Sequence, residues 1–161
     1  ILIKKKYKVT FRPHPEHLKR SIKILDFIKR KFRDKSFNFD INDDNINSMQ
    51  KAKCLITDSS GIAIEYMIAI KRPVLYLNEH DKIHNSDFKD FSKFQTIDQK
   101  IKDNFGYIFE NKDFDNIDYI IKNSEINLKK KLPKLKNFID DNFFNFGNTK
   151  KFLIANIKEI I

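Results

Sequence analysis

The chain has 161 residues, 40% hydrophobic and 34% charged, and its 32 basic against 22 acidic side chains leave a net charge of +10. That length can bury a core without metals or disulfides, and the composition excludes a disordered or collagen-like chain. Cys54 is the single cysteine, so no internal disulfide forms, and no apolar run reaches the ~18 residues that a membrane span needs.

Cys54 heads an apolar run and reads as a buried, inert thiol, which fits a reducing compartment. Residues 1–6 are too short and too basic for a signal peptide. A start at Ile1 rather than Met is expected of a piece of a longer protein. The basic balance can attract nucleic acid, anionic lipid or a phosphate-rich substrate. The charge is spread along the chain, densest at Lys129–Lys131 with Lys134 and Lys136, and reads mainly as solvated helix faces.

In chain order, "YKVTFRP" (7–13) predicts a strand that stops at a proline. "PEHLKRSIKILDFIKRKF" (15–32) carries Leu18, Ile22, Leu25, Ile28 and Phe32 at three-to-four spacing, an amphipathic helix with Pro15 and Glu16 in its first turn. "SFNFDI" (36–41) reads as a strand, and "DDNINSMQKAK" (43–53) as a helix begun by Asp43 or Asp44. "CLITD" (54–58) and "RPVLYLN" (72–78) read as buried strands around the helix "SGIAIEYMIAIK" (60–71). Residues 79–104, with Phe88, Phe91 and Phe94, predict a loop with one or two short helices. "FGYIFEN" (105–111) restarts a strand after Gly106, and 113–123 form a helix started near Asp115 or Asn116. Residues 125–144 are helical but interrupted or kinked at Pro133. "GNTKKFLIANIKEII" (147–161) closes the chain as a helix with Phe152, Leu153, Ile157 and Ile160 or Ile161 inward. Strands alternating with helices, without hairpin signals, predict one α/β domain over 1–161 with a parallel, Rossmann-like sheet.

In such sheets ligands bind beyond the carboxyl ends of the strands. Three predicted strand ends, expected on one edge, are polar: Arg12-Pro13-His14-Pro15, Thr57-Asp58-Ser59-Ser60-Gly61 and Asn78-Glu79-His80-Asp81. A helix that starts at Ser59 or Ser60 offers unpartnered N–H groups and a positive dipole end, and Asp58 can cap it. Small residues let a phosphate or diphosphate approach the backbone. By itself such a turn is more often a cap than a ligand site. Glu65, among apolar neighbours, can accept from ribose hydroxyls. Arg12 offers a planar fork to phosphate, and His14, held between prolines, can donate to a phosphate oxygen or serve as acid or base. His17, His80 and His84 read as surface residues, and no zinc-ligand set is expected. Phosphate-loop, dinucleotide and hydrolase signatures are missing from the sequence.

"FRPHPEHLK", followed by "AKCLITDSSGIAIEYMIAIKRPVLYLN", resembles the CDP-glycerol glycerophosphotransferase family of teichoic-acid and capsule polymer enzymes. The matching residues are Arg12, His14, Pro15, Thr57, Asp58, Ser59, Ser60, Glu65, Lys71 and Pro73, and Gly147, Asn148 and Thr149 match the family's closing glycine turn. Residues 79–104 match poorly. The resemblance implies the C-terminal, nucleotide-binding half of a GT-B fold. It implies a transferase that moves glycerol phosphate, or a related polyol phosphate, from CDP-glycerol to a membrane-linked polymer acceptor, with CMP released. His14 would contact the reacting phosphate, the Ser59-Ser60 turn with Thr57, Asp58 and Gly61 the diphosphate, and Glu65 the ribose. The N-terminal half would supply a second histidine, so this chain alone would bind nucleotide without turnover. Further implications are no cofactor beyond the donor, no nucleic-acid partner, and a cytoplasmic enzyme on the inner face of the membrane. The family usually has an aromatic between the aspartate and the serines, and Asp58-Ser59 lacks it. The turn is also similar to the T-D-S-G-G of UDP-N-acetylglucosamine 2-epimerases, so a sugar-nucleotide enzyme on the same fold stands as an alternative. A non-catalytic polyanion-binding domain stands as another.

Overall fold

The computed structural model describes residues 1–42, 44–58, 60–77 and 94–160, with side chains through 157. His80, His84, Phe88, Phe91 and the strand end after 77 lie outside the described residues. The protein is a mixed α/β chain whose described strands all pair in parallel, compatible with a Rossmann-like plan. It divides into two compact units, Ile1–Ala52 with Phe114–Ile117, and Lys53–Asp113 with Asp118–Ile161.

In the first unit, β1 (Val9–Phe11) pairs with β2 (Phe37–Phe39), with Phe11 opposite Phe39. Between them run α1 (Pro15–Arg20) and α2 (Ile22–Lys31). The single helix expected over 15–32 is thus two. Ser21 leaves the helical region at φ −125°, ψ 33°, ending one helix and preceding the next; its short polar side chain makes a helix interior less favourable. Phe11 stacks between Phe37 and Phe39 and Phe32 reaches Phe37, so aromatic contacts close this small sheet. α3 (Ile46–Lys51) follows, with Asn45 in the N-cap position and Asp44 Oδ1 accepting from the Ile46 N–H at 2.8 Å; of the two aspartates expected to begin this helix, Asp43 lies outside the described residues.

In the second unit the order is β3 (Leu55–Thr57), β4 (Val74–Leu77), β5 (Tyr107–Phe109), with β4 central. Position explains burial. Val74, Leu75 and Tyr76 are buried between two strands, whereas β3, expected to be covered on both faces, is only half-buried at the edge. α4 (Ile62–Glu65) widens into a π-helical turn over Tyr66–Ile70, which buries Tyr66, Met67 and Ile68. It ends at Lys71 in the left-handed region (φ 56°), after which Pro73 accepts the Leu55 N–H at 3.0 Å. α5 (Ile97–Phe105) starts at a capping box: Thr96 Oγ1 accepts from the Gln99 N–H and Gln99 Oε1 from the Thr96 N–H. Gly106 follows, where a Cβ would stand 2.4 Å from the Tyr76 ring and 2.6 Å from the Lys102 carbonyl, so only glycine lets β5 enter so close to β4.

After a 3₁₀ turn over Asn111–Asn116, α6 runs unbroken over Ile117–Asn142 with Pro133 inside it. The break expected at Pro133 is not there. Leu128 and Leu135 are buried on either side of it, and that burial outweighs one missing backbone bond. α7 (Thr149–Ile160) leaves Phe152, Leu153 and Ile157 exposed, against the inward face expected for them. No helix among the described residues is long and apolar enough to cross a membrane.

Candidate functional site at the polar strand ends

Two of the three polar strand ends are described, one in each unit. The first follows β1. Register sets Phe11 opposite Phe39, so the next residues, Arg12 and Asp40, stand side by side at the ends of their strands. Arg12 Nη1 donates to Asp40 Oδ2 at 3.0 Å, and Nη2 donates to the Asn42 carbonyl. Asp40 is 2% exposed. Its other partners are the Ser48 hydroxyl on Oδ2 and, on Oδ1, the Asn42 N–H at 3.1 Å and the Asn42 amide at 2.8 Å. These contacts, the Ser48 hydroxyl foremost and then the Asn42 N–H and Arg12, hold the carboxyl below its usual pKa against the opposing effect of burial.

Arg12 is therefore engaged by protein groups, although its side chain keeps 30% exposure. The signal that would have found Asp40 was in the sequence: an aspartate ending one strand and an arginine ending its parallel neighbour. Reading it required the register.

His14 is exposed, just beyond the buried Pro13. It occupies the N-cap of α1 at φ −60°, ψ 141°, and its Nδ1 accepts from the Glu16 N–H at 3.2 Å. An accepting Nδ1 places the neutral ring's proton on Nε2, the nitrogen left to meet a ligand. His17 lies edge-on to it, ring centres 6.2 Å apart, and is itself exposed.

The second strand end follows β3. Thr57 is half-buried; Asp58, Ser60, Gly61 and Glu65 are exposed; Ser59 is outside the described residues. Regular helix begins at Ile62 with Gly61 in the cap position, two or three residues later than the start expected at Ser60 or Ser59. The Ser60 carbonyl accepts from Ala63 and the Gly61 carbonyl from Ile64, so the turn closes on Ser60 and Gly61. No described residue stands within 4 Å of the place a Gly61 Cβ would take, so the turn is open as far as the described residues go. Glu65 is on the exposed side of α4, opposite Tyr66 and Met67 in the core.

Behind the turn, Cys54 is half-buried and burial pushes its thiol up to about 11, as expected of an unreactive cysteine. Burial likewise pushes the Tyr66 phenol up to about 12.

Asn148 and Thr149 start α7, preceded by Gly147 at φ 79°. The Asn148 N–H and the Thr149 hydroxyl both donate to the Asn145 carbonyl, at 2.8 and 3.1 Å. Asn148 lines a surface hollow of about 370 Å³ with Gly147, Lys150, Lys151 and Ile154. Among the described residues no group of three or more His, Cys, Asp or Glu side chains is placed to hold a metal ion.

Fold and strand ends together define an α/β protein with polar turns at the carboxyl ends of parallel strands. Comparison with protein-family models, curated proteins and solved structures finds no match to this chain.

Proposed function

We propose that the chain is the nucleotide-binding, C-terminal half of a GT-B transferase of the CDP-glycerol glycerophosphotransferase type. The observation that carries this is the turn after β3: small, exposed residues, with no described residue against Gly61, where a parallel strand gives way to a helix. In this reading the diphosphate sits against the Ser60-Gly61 turn, Glu65 takes the ribose hydroxyls, and Thr57 and Asp58 shape the edge of the site. Asn148 and Thr149 add to the donor site through the hollow at the start of α7.

The likeness of Arg12-Pro13-His14-Pro15 to the family motif is what assigns His14 to the reacting phosphate. The acceptor hydroxyl attacks the phosphorus next to glycerol, the bond to the CMP oxygen breaks, and CMP leaves. The acceptor is a membrane-linked polymer, the enzyme works on the cytoplasmic face of the membrane, and an N-terminal half completes the site. Arg12, already paired with Asp40, orients the loop that carries His14.

Calorimetric titration of the chain with CDP, CDP-glycerol, UDP and UDP-N-acetylglucosamine tests the reading. Cytidine nucleotides are expected to bind in preference to uridine nucleotides. Ser60→Ala and Glu65→Ala should each weaken that binding by about 1–3 kcal/mol. A uridine preference would move the assignment to a sugar-nucleotide enzyme, and unchanged affinity in both variants would move the site away from this turn. In the parent enzyme, His14→Ala is expected to abolish turnover while nucleotide affinity stays.

A further inference from the structure

We infer that α1 and α2 form a surface that binds anionic lipid. Residues 16–35 hold eight lysines and arginines against three acids, half of the chain's net charge of +10 in an eighth of its length. All eight basic side chains are exposed. The same helices expose large apolar side chains: Ile22, Ile24 and Phe27 are 57%, 61% and 55% exposed, with Leu18 and Phe32 near 39% and 38%. In α2 only Leu25 is buried.

Charge and apolar area form one patch. Ile24, Phe27 and Lys31 follow at three- and four-residue spacing along a single helix face. The Lys31 ammonium lies 5.2 Å from the Phe27 ring centre and 5.9 Å from that of Phe32, and Lys29 lies 4.5 Å from that of Phe39. Such lysines lay their methylene stems along apolar surface and carry their charge at its rim.

A bilayer interface with anionic headgroups matches both halves of this pattern. The rings and isoleucines enter the headgroup–acyl boundary while the basic rim meets the phosphates. Nucleic acid would match the charge and leave the apolar side chains in water. Glu16 bonds Arg20 at 3.1 Å and approaches Lys19 at 3.9 Å, so α1 contributes less free charge than α2. The surface belongs to the first unit alone and does not depend on the nucleotide reading.

The test is flotation of the 161-residue chain with vesicles of phosphatidylcholine alone or with roughly a third phosphatidylglycerol. Wild type should partition onto the anionic vesicles and not the neutral ones, and should come off as salt is raised from about 0.1 to 0.5 M. Ile24→Ser with Phe27→Ser should lower the partition by about tenfold or more with an unchanged melting curve, because both side chains are exposed. Phe144→Ser, at an exposed position in the other unit, should partition as wild type. Equal binding to neutral vesicles, or an Ile24/Phe27 double variant that binds as wild type, would overturn the inference. So would a sedimenting dimer that the double substitution dissolves, since the patch would then be an interface between copies. Nucleotide titration of the same samples reads the donor site separately.

Discussion

Both units bury apolar side chains, Leu25 and Ile117 in the first among them, but the first adds a buried carboxylate. In the second, the core is mainly apolar: Leu75 and Ile101 are at 0% exposure and Val74 and Leu135 at 1%, with Val74 and Leu75 on the central strand. The first is closed by aromatic edges and by a buried carboxylate, Asp40, with four hydrogen bonds that tie β1, β2 and α3 together. Hydrophobic burial is indifferent to pH and tolerant of direction. A buried carboxylate is neither. It holds its partners in one geometry, and its contribution depends on staying ionised.

The largest expected effect tests the apolar side. Leu75→Ala removes a fully buried side chain from the middle strand and should cost about 2–5 kcal/mol in a denaturant melt. Gly106→Ala should cost about 1–3 kcal/mol, because the new methyl meets the Tyr76 ring and a backbone carbonyl that cannot give way. If Gly106→Ala melts as wild type, β5 does not pack as closely against β4 as described.

Asp40→Asn should cost about 1–2 kcal/mol at neutral pH and, more tellingly, flatten the acid limb of the stability curve. The folded carboxyl lies below its ordinary value of 3.8. Its stabilisation is therefore present above that value and is lost as pH falls through the lowered one. Leu75→Ala should shift the whole curve without changing that slope. Equal slopes in wild type and Asp40→Asn would show that the network does not carry the acid sensitivity.

The smallest effect is chemical. With its thiol pushed up to about 11 from 9.0, native Cys54 should alkylate roughly ten- to hundredfold more slowly at neutral pH than the same thiol in urea. Equal rates would mean that Cys54 is not shielded.

Much of the path of the chain was legible. Apolar runs and the 3.6-residue period placed every described strand and most helices, and short connections between alternating types foretold parallel pairing. The misreadings have local causes. Ser21 interrupts an apolar stripe that continues through it, so periodicity alone joins α1 to α2. Pro133 signals a break that burial on both sides overrides. Phe152, Leu153 and Ile157 have the spacing of a core face, but spacing does not say whether another element covers that face.

The candidate site divides the same way. The residues of the turn after β3 could be named from their order. Which of them begins the helix could not, because Ser59, Ser60 and Gly61 are all good cap residues, and the burial of Ala63, Tyr66 and Met67 goes with a helix that starts at Ile62.

What the sequence by itself determined is the alternation of elements and the polar character of the strand ends, since each is a property of neighbours along the chain. The Arg12–Asp40 pairing, the exclusion of any side chain at 106 and the division of the five described strands into sheets of two and three were decided by tertiary structure. They depend on register and on approach between residues far apart in the chain, and neither distance nor register is written in local order.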